Sequence, residues 1–131
     1  MTTFGKHITL DFRIYGDYIH AINDHGFLLE WLDNLVRFLD MKIHQIDDKK
    51  AILIDTWEPE GIPEAAGTSI NILITTSSIS VHTCIDPRDP KFGLIYLDLF
   101  SCKDYAASDV HCNVNNWWGY PQITKSFIQY R

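Results

Sequence analysis

Two runs rich in β-branched residues, Thr68–Thr75 and Ile79–Cys84, stand apart by only three polar residues, Thr76, Ser77 and Ser78. So short a gap makes the chain turn back on itself, and the pair reads as an antiparallel hairpin with Ser77 near its tip. Other segments repeat the strand signature. Ile8, Leu10 and Phe12 alternate with His7, Thr9 and Asp11, which gives one apolar and one polar face. Ala51–Asp55 is a further strand, followed by a Pro/Gly/Glu loop over Glu58–Gly67. Leu97 and Leu99 alternate with Asp98 and Phe100 in a strand that runs to Cys102, and Ile123–Tyr130 is the last. One stretch has the other period. Leu28, Trp31, Leu32, Leu35, Phe38 and Leu39 recur at helical spacing behind an N-cap candidate, Asn23 or Asp24. That apolar stripe is core-forming. A shorter helix is expected around Ser108–Trp118. Many strands with hairpin-length connections and few helices give an α+β fold, a two-layer sandwich with an antiparallel sheet and helices packed on one face.

The 131 residues contain no repeat, low-complexity tract or linker, so a single domain over residues 1–131 is expected. Eleven Lys and Arg against seventeen Asp and Glu leave a net charge of −6. Nucleic acid is therefore not an expected partner, because neutralising phosphates takes clustered positive charge. Lys49-Lys50 directly follow Asp47-Asp48 and read as a solvated turn. No apolar run approaches the ~20 residues needed to span a bilayer, and no apolar signal segment follows Met1. Cys84, Cys102 and Cys112 are an odd set that cannot all pair. A reduced, cytoplasmic protein is the expectation. None of the three has metal-ligand spacing, so no metal is expected.

Taken singly, the polar residues are ordinary. Ser77 is turn chemistry, His82 suits a satisfied strand histidine, and Cys102 suits a small buried hydrophobe. Ser77 and His82 do not make a hydrolase either, since no GxSxG elbow surrounds the serine. Read together, GTSINILITTSSISVHTCID followed by LDLFSC resembles the short, prokaryotic type of S-adenosylmethionine decarboxylase, a pyruvoyl-dependent family. That family has a Gly-Val-Ser strand, a Glu-Ser-His segment, an Ile-His-Thr-Trp-Pro-Glu segment and an Asp-x-Phe-Thr-Cys strand. The opening GKH and the later INDHGFL also match, so the resemblance spans roughly residues 5–102.

The resemblance implies a role for each matched position. Ser77 takes the place of the serine that becomes the pyruvoyl group, after cleavage between Thr76 and Ser77. The resulting covalent pyruvoyl cofactor would form a Schiff base with a substrate amine and accept the electrons left by departing CO2. Ser69 and His82 match the pair that assists self-cleavage, and Cys102 matches the acid that protonates the substrate carbon. Asp86 matches a nucleoside-contacting glutamate, and Trp57 offers a ring to stack on adenine. The implied reaction is decarboxylation of S-adenosylmethionine for spermidine, a polyamine.

Three departures bear on substrate. Thr76 replaces a glutamate, Ser78 replaces a histidine, and Cys84-Ile85-Asp86 replaces Trp-Pro-Glu. Ornithine or arginine decarboxylation is therefore the alternative substrate reading, and a non-catalytic regulatory paralogue the alternative class. Spacing adds a constraint of its own. Ser69 and Ser77 are eight residues apart on an extended strand, ~26 Å, so one protomer cannot easily gather Ser69, Ser77 and His82. A homodimer with shared active sites would do so, as the resemblance also implies. Cleavage would divide the charge unevenly. Residues 1–76 hold six Lys and Arg and twelve Asp and Glu, whereas residues 77–131 hold five of each.

Overall fold

Strict alternation carries β1 (Lys6–Tyr15) through the middle of the sheet. Ile8, Leu10, Phe12 and Ile14 are buried, while His7, Thr9, Asp11 and Arg13 lie on the opposite side, partly open to solvent. The computed structural model describes residues 5–62, 66–75 and 77–130; Thr76, half of the expected cleavage site, lies outside them. After β1 come a short 3-10 helix, Gly16–Ala21, and α1, His25–Phe38. The N-cap of α1 is Asp24, whose carboxylate accepts from Phe27 N at 3.2 Å. Asn23 instead ties the helix entry to the sheet, its Oδ1 accepting from Thr68 Oγ1 at 2.7 Å.

Two short strands follow, β2 (Gln45–Ile46) and β3 (Lys49–Lys50). Asp47 and Asp48 between them have φ of 52° and 65°, the left-handed pair that a two-residue hairpin turn requires. The acidic pair is thus the turn, and the two lysines form an exposed strand behind it. The remaining elements are β4 (Ile52–Trp57), β5 (Gly67–Ile74), β6 (Ser77–Ile85), β7 (Phe92–Ser101), α2 (Ala107–Trp117) and β8 (Gln122–Tyr130).

β4, β5, β6, β7, β1 and β8 form, in that order, one six-stranded sheet, antiparallel throughout. Its covered side presents Ile70 and Ile72 from β5, Ile79 and Val81 from β6, and Leu97 and Leu99 from β7 to the helices. The fold is an α+β sandwich with both helices on that side. From α1, Leu28, Trp31, Leu32, Leu35 and Val36 are buried; from α2, Val110, Asn113 and Val114. Trp31 and Trp118 meet edge to face with ring centroids 5.4 Å apart. The other side of the sheet is open. Leu53, Leu73, Tyr96 and Phe127 are exposed there, since each pairs with a residue of the open face. Among the described residues no helix is long and apolar enough to cross a membrane.

One polar link joins the two helices inside the core. Trp31 Nε1 donates to Asn113 Oδ1 at 3.0 Å, and Asn113 Nδ2 donates to Asn34 Oδ1 at 2.7 Å. Removing the amide leaves a fully buried indole N–H without its acceptor. Asn113→Ala is expected to cost ~1–3 kcal/mol of unfolding free energy, read from urea denaturation followed by tryptophan fluorescence.

Candidate functional site

The β5–β6 register sets Ser69 opposite His82, and their side chains meet, with Ser69 Oγ 2.8 Å from His82 Nδ1. The reason lies in strand geometry. Ile70 and Ile72 must be buried, which turns Ser69 to the open face, and burial of Ile79 and Val81 does the same for His82. Ser69 Oγ also accepts from Trp57 Nε1 at 3.0 Å. Trp57 thus joins the pair from β4, where its register partner is Gly67. A Cβ at Gly67 would sit 2.7 Å from the Trp57 ring and 2.4 Å from Thr83 O, so only glycine lets the indole lie against β5. The result is a row of Trp57, Ser69 and His82 on an exposed sheet face. It places an imidazole within proton-transfer distance of a hydroxyl.

Ser77 lies elsewhere. It opens β6, five residues before His82, ~16 Å away along the strand. Five is odd, so Ser77 belongs to the face opposite His82, the covered one. There it is opposite Ser101 in the β6–β7 register, and Ser77 Oγ donates to Ser101 Oγ at 2.6 Å. Cys102 is the next residue and is exposed. The loop that carries it is tied at several points. Lys103 N donates to Ser101 Oγ at 3.0 Å, Lys103 Nζ bonds Asp40, and the Tyr105 hydroxyl reaches Leu99 O at 3.2 Å. A cleft of about 40 Å³ runs past Gly5, Lys6, Ser101, Cys102 and Lys103. That is water-sized, well short of the several hundred Å³ a nucleoside-sized ligand needs.

The structure therefore groups the expected residues in two sets, with Trp57, Ser69 and His82 on one face and Ser77 with Cys102 at the end of the sheet. It adds Ser101, which joins the second set. Its signal in the sequence was its place in LDLFSC, directly before Cys102. A cavity of about 500 Å³ against α2, lined by His111, Cys112, Asn116 and Tyr120, shares no residue with either set.

Asp86 stands apart from both. Its carboxylate is fully buried between Arg13, 3.1 Å away, and Arg88, 3.4 Å away. Arg88 N also donates to Asp86 Oδ1 at 2.9 Å. So placed, Asp86 pins the β6–β7 turn to β1. The Arg88 backbone N–H holds the carboxyl below the usual carboxylate range; burial pushes the other way, and both guanidinium groups add to the lowering. Cys84 beside it has its thiol pushed up, by burial first and then by the Asp86 charge.

Residues 6–124 match the family model described as S-adenosylmethionine decarboxylase, a span that contains both sets. No curated protein matches the chain. The buried Asp86 gives a check on stability. Because its pKa is lower folded than unfolded, its contribution is complete above the ordinary carboxylate value, ~3.9, and is lost as pH falls through the lower folded value. Asp86→Asn is expected to be less stable than wild type at pH 7 and to approach it below about pH 4, measured as urea midpoints across that range.

Proposed function

The chain belongs to the S-adenosylmethionine decarboxylase family, and from that premise we propose a self-processing, pyruvoyl-dependent enzyme of the short prokaryotic type that decarboxylates S-adenosylmethionine in spermidine biosynthesis. The observation that carries the reading is the Ser69–His82 hydrogen bond on the hairpin whose returning strand begins at Ser77. A cysteine one residue beyond the cross-strand partner of Ser77 supports it.

Processing needs only groups of this chain and water. The Ser77 hydroxyl loses its proton as its oxygen attacks the carbonyl carbon of Thr76. The Thr76–Ser77 C–N bond breaks, the nitrogen takes up a proton, and an ester joins the two residues. Removal of the Ser77 Cα proton sends that electron pair into a Cα–Cβ double bond and expels Thr76 as a carboxylate. The dehydroalanine then takes up water and releases ammonia, leaving a pyruvoyl group at the head of the downstream chain. Ser69 would hold the intermediate by hydrogen bonding while His82 moves its proton.

The group that this would produce would lie beside the buried Ser101 hydroxyl, which could then donate to a carbonyl oxygen, and an exposed thiol follows Ser101 in the chain. Once formed, a pyruvoyl group would supply a carbonyl for Schiff-base formation with the substrate amine and an electron sink for decarboxylation. Cys102 returns a proton to the substrate carbon, and Trp57 offers its half-exposed ring to adenine. Ser69 and His82 lie on the opposite face from Ser77, and the cleft at Cys102 is too small for the substrate. A homodimer whose protomers share their sites answers both facts.

Intact mass of purified protein is expected to show two chains broken between Thr76 and Ser77, and Ser77→Ala should stay whole. A wild-type chain left uncleaved under all folding conditions overturns the enzyme reading in favour of a regulatory paralogue. Cys102→Ala is expected to cleave but to lose ~10²-fold or more in turnover, read as CO2 released from carboxyl-labelled S-adenosylmethionine. Unchanged turnover removes Cys102 from the chemistry, and release from ornithine or arginine alone reassigns the substrate.

A further inference from the structure

Ser101 accepts a hydrogen bond from Ser77, yet the processing steps above give it nothing to do. It is 1% exposed at the end of β7, and its Oγ accepts from two donors: Ser77 Oγ at 2.6 Å and Lys103 N at 3.0 Å. A serine hydroxyl has two lone pairs and one proton, so both lone pairs are engaged and their directions are set. The Lys103 amide is itself anchored, because the Lys103 side chain is bound to Asp40. Ser101 is therefore a fixed acceptor rather than a rotating one. Facing it, Ser77 has three staggered χ1 positions, of which a short hydrogen bond selects one.

We propose that Ser101 is a positioning residue for self-processing: its buried hydroxyl fixes the rotamer of Ser77, the residue whose Oγ attacks in ester formation. The proposal rests on Ser77 being the processing serine. Ser101 enters no covalent step; it accepts the hydrogen bond of the hydroxyl that will attack, which orients the oxygen and draws electron density toward it. Preorganisation of this kind acts on formation of the ester, before any group downstream is involved. The proposed chemistry gives Ser69 and His82 the intermediate and its proton, so the two effects can be told apart by whether ester accumulates.

The test compares two variants of nearly equal volume, Ser101→Thr, which keeps a hydroxyl, and Ser101→Val, which does not. Conversion to two chains is followed by intact mass after synthesis, and thermal midpoints are recorded alongside. Hydroxylamine is added to part of each sample, because it cleaves an ester but not an amide and leaves an intact serine at the new terminus. Ser101→Val is expected to process about tenfold more slowly than Ser101→Thr, with little hydroxylamine-cleavable chain. His82→Ala is expected to accumulate ester, which hydroxylamine releases. Equal rates in Ser101→Thr and Ser101→Val overturn the proposal, as does abundant hydroxylamine-cleavable ester in Ser101→Val. A wild-type chain that never cleaves overturns the processing reading and this proposal with it; a cleaving wild type with equal variants overturns this proposal alone.

Discussion

The pairing of β5, β6 and β7 is the constraint on which the site depends. One register sets Ser69 opposite His82, and the next sets Ser77 opposite Ser101. Side chains alternate with a period of two, so a slip of one residue would exchange the faces of every residue in a strand. Ile70, Ile72, Ile79 and Val81 would then be exposed, and Ser69 and His82 buried. The hydrophobic effect thus holds the polar residues in place without touching them. Four buried aliphatic side chains, each contributing ~1.5–3 kcal/mol, outweigh the polar contacts made on the open face.

The same alternation divides the site. Ser77 and His82 are five residues apart on one strand, and an odd spacing puts them on opposite faces. Helices α1 and α2 cover the face that holds Ser77 and Ser101, whereas Trp57, Ser69 and His82 stand on the face that no described element of the protomer covers. Exposed Leu53, Leu73, Tyr96 and Phe127 share that open face. The shared-site dimer proposed above would bring a second protomer to this face.

Much of this was legible in the residues alone. The alternation of Ile8, Leu10 and Phe12 identified β1, the short gap at Thr76–Ser78 identified the hairpin, and the stripe from Leu28 to Leu39 identified α1. Each rests on neighbours within a few residues, where backbone geometry leaves few outcomes. The Asp47-Asp48 pair was harder to read. Charge suggested a solvated turn around the lysines, but the turn is formed by the aspartates, which tolerate the left-handed backbone it needs. The surroundings of Asp86 are hidden from the sequence for a related reason. Its motif suggested a ligand contact, whereas Arg13, seventy-three residues earlier, encloses it.

By itself, then, the amino-acid order determined the elements, their alternating faces and the cross-strand meeting of Ser69 with His82, because these follow from local periods of two and 3.6. The tertiary structure alone decided that β1 lies between β7 and β8, that Trp57 reaches Ser69, that Asp86 is enclosed by Arg13, and that Ser101 holds Ser77. Those contacts join residues from different elements of the chain. Which strands become neighbours is set by how the whole apolar surface is best buried, and no local pattern encodes that.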